Sequence, residues 1–172
     1  MLLSIEVSLY CPRFVVLDIV DGRLKTIHAV VNDHQRESSM ATRNRTPTGT
    51  LLSEISEKLS FILTAYPITS AVWSLRQFGV ANLDAAKIAL GAIILILDQH
   101  GIRSEEMLRS RVNLLLTGSS HGNSKALKEA LDRLLPNYES AYACPLMTGL
   151  AWFCQHHYVN VLNWRESHAE TP

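Results

Sequence analysis

"LLSIEVSLYCPRFVVLDIVDGRLKTIHAVV", residues 2–31, contains three β-rich runs separated by two turn signals. "LLSIEVSL" (2–9) and "RFVVLDIV" (13–20) are parted by Cys11-Pro12, and "RLKTIHAVV" (23–31) follows Asp21-Gly22. An Asp-Gly pair between apolar runs is a strong hairpin signal. Three sequential strands therefore open the chain. Beyond them the period changes. Leu51, Leu52, Ile55, Leu59, Ile62 and Leu63 recur at helical spacing, with Thr48 or Thr50 as candidate cap. That helix is expected to end near Tyr66, because Pro67 disfavours helix at the residue before it.

"ITSAVWSL" (68–75) reads as a short strand, and residues 83–99 as a helix capped by Asn82 and apolar nearly all round, hence buried. "RVNLLLT" (111–117) is expected to be a further strand. Residues 124–135 form an amphipathic helix stopped by Pro136, and 145–158 a last helix with Pro145 in its first turn. Strands followed by alternating helix and strand predict an α/β domain with a mixed sheet flanked by helices. One domain over residues 1–160 and a flexible tail over 161–172 account for the chain.

The totals narrow the function. With 172 residues and 47% hydrophobic content the chain can bury a full core. Its longest apolar run, "IALGAIILIL", stops after roughly ten residues, too few to span a bilayer. No signal-peptide pattern opens the chain, so a cytoplasmic protein without a membrane partner is expected. Sixteen basic and sixteen acidic residues cancel, so any contact with nucleic acid must come from a local patch. The three cysteines form no CxxC pair, which argues against a disulfide framework or a structural zinc site.

Two segments could supply such a patch. The polar stretch "NDHQRESSMATRNRTP" (32–47) carries Arg36, Arg43 and Arg45, and reads either as a solvated linker or as a partner-binding arm. "TGSSHGNSK" (117–125) precedes a helix, where Thr117, Ser119, Ser120, His121, Asn123 and Lys125 can donate to an anion. Its glycines and lysine break the GxxxxGK[ST] spacing of a P-loop, and no GxGxxG turn is present. A turn capped by Asn123 or Ser124 is the plain alternative.

The order of elements and three stretches make the chain resemble the RuvC-type Holliday-junction resolvases, nucleases of ribonuclease-H-like fold. "SIEVSL" puts Glu6 where that family has the acid of an "IDPG" turn. "TGSSHGNSK" is similar to the family's "TGxGxAxK", with Lys125 at the lysine that approaches DNA, and "AAKIALGAIILILDQHGI" resembles its helix with a small-residue step. The resemblance spans residues 2–158 and implies a dimer that cuts four-way DNA junctions with magnesium. Its other acids fall at Trp73, Tyr142 and Pro145. Two divalent ions roughly 4 Å apart need several carboxylates, so the expected site holds no metal or other cofactor and no catalytic residue.

The resulting expectation is a catalytically inactive RuvC-like module that binds DNA through the 117–125 loop and Arg36, Arg43 and Arg45, and dimerises through helix 83–99 with Ile93 and Leu97 at the seam. A protein-binding scaffold that keeps only the fold is the alternative. An active nuclease rebuilt from Glu6 with Asp84 or Glu139 is a third reading. Other groupings give less. Adjacent helical His156 and His157 point about 100° apart and do not converge on one ion. Cys154 beside them is a poor candidate nucleophile, and Trp73, Trp152 and Phe153 read as core.

Overall fold

The computed structural model describes residues 1–20, 23–31, 47–75, 83–121, 123–135 and 138–156. Three strands come first: β1 (Leu2–Val7), β2 (Arg13–Val20) and β3 (Arg23–Val31). They are followed by α1 (Thr48–Ala65), β4 (Ser70–Leu75), α2 (Leu83–Gln99), β5 (Arg103–Glu106), α3 (Arg109–Thr117), α4 (Ser124–Leu134) and α5 (Ala143–His156). A 3-10 turn over Ser140–Tyr142 leads into α5. The sheet has five strands in the order β3-β2-β1-β4-β5. β1 pairs antiparallel with β2 and parallel with β4, and β4 pairs parallel with β5, so the sheet is mixed.

Every residue of β1 is buried, because this strand is central and covered on both faces. Strand alternation then sorts the side chains. Leu3, Ile5, Val7, Phe14, Val16 and Ala71 pack against Leu51, Ile55, Leu59 and Ile62 of α1 and Ala89, Ile93 and Leu97 of α2. On the other face Leu2, Val15, Leu17 and Val72 meet Val112 and Leu116 of α3, Leu127 and Leu131 of α4, and Leu146 and Leu150 of α5. Gly149 sets the distance between α5 and the sheet: a Cβ there would overlap Leu17 Cδ1 and stand 3.1 Å from Ser4 Cβ.

The ends of α1 follow from its flanking prolines. Pro47 occupies the N-cap with no side-chain cap bond, so neither Thr48 nor Thr50 caps the helix. The helix stops as expected, with Tyr66 extended and its N–H donating to Ile62 O. α2 matches residues 83–99 and α5 starts two residues before Pro145.

Two expectations are corrected. "RVNLLLT" is helix α3 rather than a strand: its buried side chains are Val112, Asn113 and Leu116, and so short an apolar run fits either period. The strand that follows α2 is instead the polar "RSEE" of β5, an edge strand whose charges conceal it from any hydrophobic pattern. α2 is not buried all round, since Ile88 is 50% and Leu95 59% exposed. The Asp21-Gly22 turn, Asn82, Pro136 and the tail lie outside the described residues, as do Arg36, Arg43, Arg45 and His157. No helix among the described residues is long and apolar enough to cross a membrane.

Candidate functional site

The alternation that buries Ile5 and Val7 against α1 and α2 turns Ser4 and Glu6 toward α5. Ser4 Oγ donates to Pro145 O at 2.6 Å, which ties the centre of the sheet to the first turn of α5. Glu6 lies near the carboxyl end of β1, where open α/β sheets place their ligands, and is 2% exposed. Its antiparallel neighbour is Arg13 and its parallel neighbour Ser74. Arg13 Nη1 donates to Glu6 Oε2 in an ion pair whose side chains are 17% and 2% exposed. Burial works against the guanidinium charge, but Glu6 outweighs it, and the Arg13 pKa is raised. The guanidinium therefore stays charged at any physiological pH.

Two residues of α5 complete the cluster. Thr148 Oγ1 lies 3.1 Å from Ser74 Oγ and donates to Cys144 O at 3.0 Å. Burial pushes the Cys144 thiol up, and the nearby Glu6 carboxylate, with which it hydrogen-bonds, pushes it further; Arg109 and Arg13 pull the other way. One carboxylate, one guanidinium, one thiol and two hydroxyls thus meet at the carboxyl ends of β1 and β4.

The 117–125 segment connects two helices, α3 and α4, so the strand–loop–helix setting of a phosphate cradle is absent. Gly118 closes α3 at φ 77°, a left-handed conformation that favours glycine, and its N–H donates to Leu114 O. Asn113, 8% exposed, donates through Nδ2 to Ser120 O at 3.1 Å and anchors the turn. Thr117 Oγ1 donates to Asn113 O at 2.8 Å, and Ser120 Oγ lies 3.1 Å from His121 Nδ1. Asn123 is the N-cap of α4, accepting from Ala126 N at 2.8 Å. Ser119, Ser120, His121, Asn123 and Lys125 are exposed and Thr117 half-buried. The Lys125 side chain is 86% exposed and 4.0 Å from Glu129.

Comparison with solved structures gives the architecture a relative. Thermus thermophilus RuvC superposes with a TM-score of 0.74 at 14% identity, over 90% of this chain and 95% of that one. The fold is that of the RuvC resolvases. T. thermophilus RuvC in complex with a Holliday junction substrate gives 0.73 at 15% identity, covering 87% of this chain and 90% of that one. The yeast mitochondrial Holliday junction resolvase gives 0.52 at 9%, covering 95% and 81%. No protein-family model and no curated protein matches the sequence.

Within this RuvC-like fold the positions expected for acids separate. Glu6 lies on β1 between Arg13 and Ser74. Trp73 does not face it: it packs on the α1 and α2 side, and the β4 residue beside Glu6 is Ser74. Tyr142 is half-buried, its hydroxyl donating to Ala29 O at 3.4 Å and its pKa raised by burial and by Glu139. Pro145 is buried and offers only its carbonyl, already taken by Ser4. The α5 side chains at the site are Cys144 and Thr148. Asp84 lies across the sheet on α2, 93% exposed and 3.9 Å from Lys87, and Glu139 is exposed, so neither supplements Glu6.

These residues do not fit the divalent ions that the fold implies. Magnesium prefers carboxylate oxygens, and the one carboxylate that the described residues place here is already paired with a fixed cation. No three His, Cys, Asp or Glu side chains converge among the described residues. Ile93 and Leu97, expected at a dimer seam, are 0% exposed against the sheet, so a seam on α2 would have to use its outer face. His156 bonds Glu105 at 2.7 Å and stacks on Trp152, and Cys154 is 8% exposed with its thiol pushed up to about 12. Sequence reasoning missed Arg13, Ser74, Cys144 and Thr148. Only Arg13 left a signal, as the opposite charge across a hairpin from Glu6.

Proposed function

We propose that this chain is a non-catalytic RuvC-like domain that binds DNA, branched DNA in particular, without cutting it. The observation that carries the reading is the pairing of buried Glu6 with half-buried Arg13. Phosphodiester cleavage with two divalent ions needs a set of carboxylates to hold them and balance their charge. Here one carboxylate is balanced by a guanidinium, and its neighbours Ser74, Thr148 and Cys144 are neutral donors. This donor set supplies no site for two ions that would polarise the phosphate and activate a water.

Binding is the activity that such a fold can retain. T. thermophilus RuvC has been solved with a Holliday junction substrate, which supports DNA as the partner of this chain. Lys125 and the exposed donors of the 117–124 turn form a local patch suited to phosphates, as a chain of net charge zero requires. Arg36, Arg43 and Arg45 are candidates for further phosphate contacts. A homodimer would join through the outer face of α2, where Ile88 and Leu95 leave apolar surface exposed.

Labelled four-way junction and matched duplex, incubated with the protein at two salt concentrations with magnesium present, test the reading. Binding that weakens with salt and leaves the DNA intact is the expected result. Lys125→Ala should lower the log–log salt slope by about 0.9, the value for one phosphate contact. Cleavage of the junction would overturn the loss of catalysis. No binding at low salt would overturn DNA as the partner and favour a protein scaffold.

A further inference from the structure

We infer that Arg13 is a built-in counter-cation that occupies the cation position of the cleft, so that the folded chain excludes divalent metal from Glu6 until that guanidinium is removed. The inference deepens the non-catalytic reading of the same site. A carboxylate 2% exposed on a central strand cannot rely on water for charge compensation. Something in the cleft must supply it. The antiparallel register sets Arg13 directly across from Glu6, with its side chain half-buried at 17% exposed.

The cost of burying Arg13 is visible. Its Nε is buried with no hydrogen-bond partner among the described residues, which the pair with Glu6 must offset. Arg109 is near enough to act on Cys144, but Arg13 is the cation that bonds Glu6 directly. Ser74 and Thr148 bond each other, Thr148 also bonds the Cys144 carbonyl, and the Cys144 thiol bonds Glu6. A divalent ion arriving here would meet a like charge tethered to the backbone, and would find Glu6 already satisfied.

Without the guanidinium the balance reverses. Glu6 would lose its fixed ion-pair partner and lie beside two hydroxyls and a thiol, a donor set that takes Mn²⁺ through oxygen or Cd²⁺ through oxygen and sulfur. The internal ion pair and the metal are alternative occupants of one position. Breaking a buried pair from one side is costly because the other charge is stranded, whereas removing both partners is not.

The test uses the full chain as wild type, Arg13→Met, Arg13→Lys and Glu6→Gln/Arg13→Met, melted with and without millimolar Mn²⁺ or Cd²⁺. Wild type and Arg13→Lys should melt at the same temperature with or without metal. Arg13→Met should melt about 10 °C lower and regain part of the loss with metal. The double variant should melt nearer to wild type and ignore metal. If Arg13→Met does not fold without metal, recovery of the folded state in millimolar Mn²⁺ or Cd²⁺ supports the inference and no recovery overturns it. A wild type stabilised by Mn²⁺, or a double variant no more stable than Arg13→Met, would overturn it. DNA binding is not part of the readout, so a chain that binds no DNA would refute the proposed function and leave this inference intact.

Discussion

Gly149→Ala tests the packing that assembles the site. The close approach of α5 to β1 and β2 brings Ser4 Oγ to Pro145 O and Thr148 to Ser74, and it exists because residue 149 has no side chain. Alanine in a helix interior gains about 1 kcal/mol over glycine by propensity. Against that, the new Cβ would overlap Leu17 Cδ1, a core atom of a residue that is 0% exposed, and overpacking of this kind costs about 1–3 kcal/mol. The net expectation is a loss of about 0–2 kcal/mol. Leu17→Ala removes the obstructing atom, itself at a cost of about 2–5 kcal/mol. In that background Gly149→Ala becomes neutral or stabilising by about 1 kcal/mol, because the methyl fills part of the cavity. The coupling between the two sites is therefore about 1–3 kcal/mol, measured by urea unfolding of the four proteins in a double-mutant cycle. Gly149→Ala effects that agree within about 0.5 kcal/mol in the two backgrounds would refute the close packing of α5 on the sheet.

The buried thiols should show themselves chemically. Cys154, pushed up to about 12 by burial, should resist iodoacetamide in the folded protein at neutral pH. The folded state holds that proton more tightly than the unfolded chain, whose thiol titrates near 9.0, so its contribution to stability is complete below pH 9 and is lost as pH rises toward 12. Unfolding free energies measured across that range should fall less steeply in Cys154→Ala, and an identical slope would reject the assignment. At Cys144, Glu6→Gln removes the charge that helps hold the thiol protonated, so alkylation of Cys144 should accelerate; unchanged rates would separate the two residues. Ile93→Glu or Leu97→Glu would bury a charge in the core and should prevent folding, whereas Ile88→Glu and Leu95→Glu sit on the exposed face and should fold. If the dimer forms through that outer face, the latter pair should sediment as monomers, and an unchanged profile would count against the seam.

The sequence by itself determined those elements whose signals are local. The three opening strands, the stop of α1 before Pro67, α2 over 83–99 and the Asn123 cap of α4 each rest on a period or a cap that the chain supplies within a few residues. Where local signals were ambiguous or missing, the reading failed: "RVNLLLT" is too short to declare its period, and "RSEE" has no apolar face to declare a strand.

Tertiary structure decided what stands beside Glu6. A shift of one residue in a parallel register moves a side chain to the opposite face, and that is the difference between Trp73, packed against α1 and α2, and Ser74, placed in the cleft. The register between β1 and β4 is set by the burial of both sheet faces together, which no short window contains. The same holds for Cys144 and Thr148, delivered by a helix whose closeness depends on Gly149, and for Ile93 and Leu97, turned inward by the packing of α2. A single sequence carries the residues of a site. Their grouping into a neutralised cluster is a property of the packed sheet.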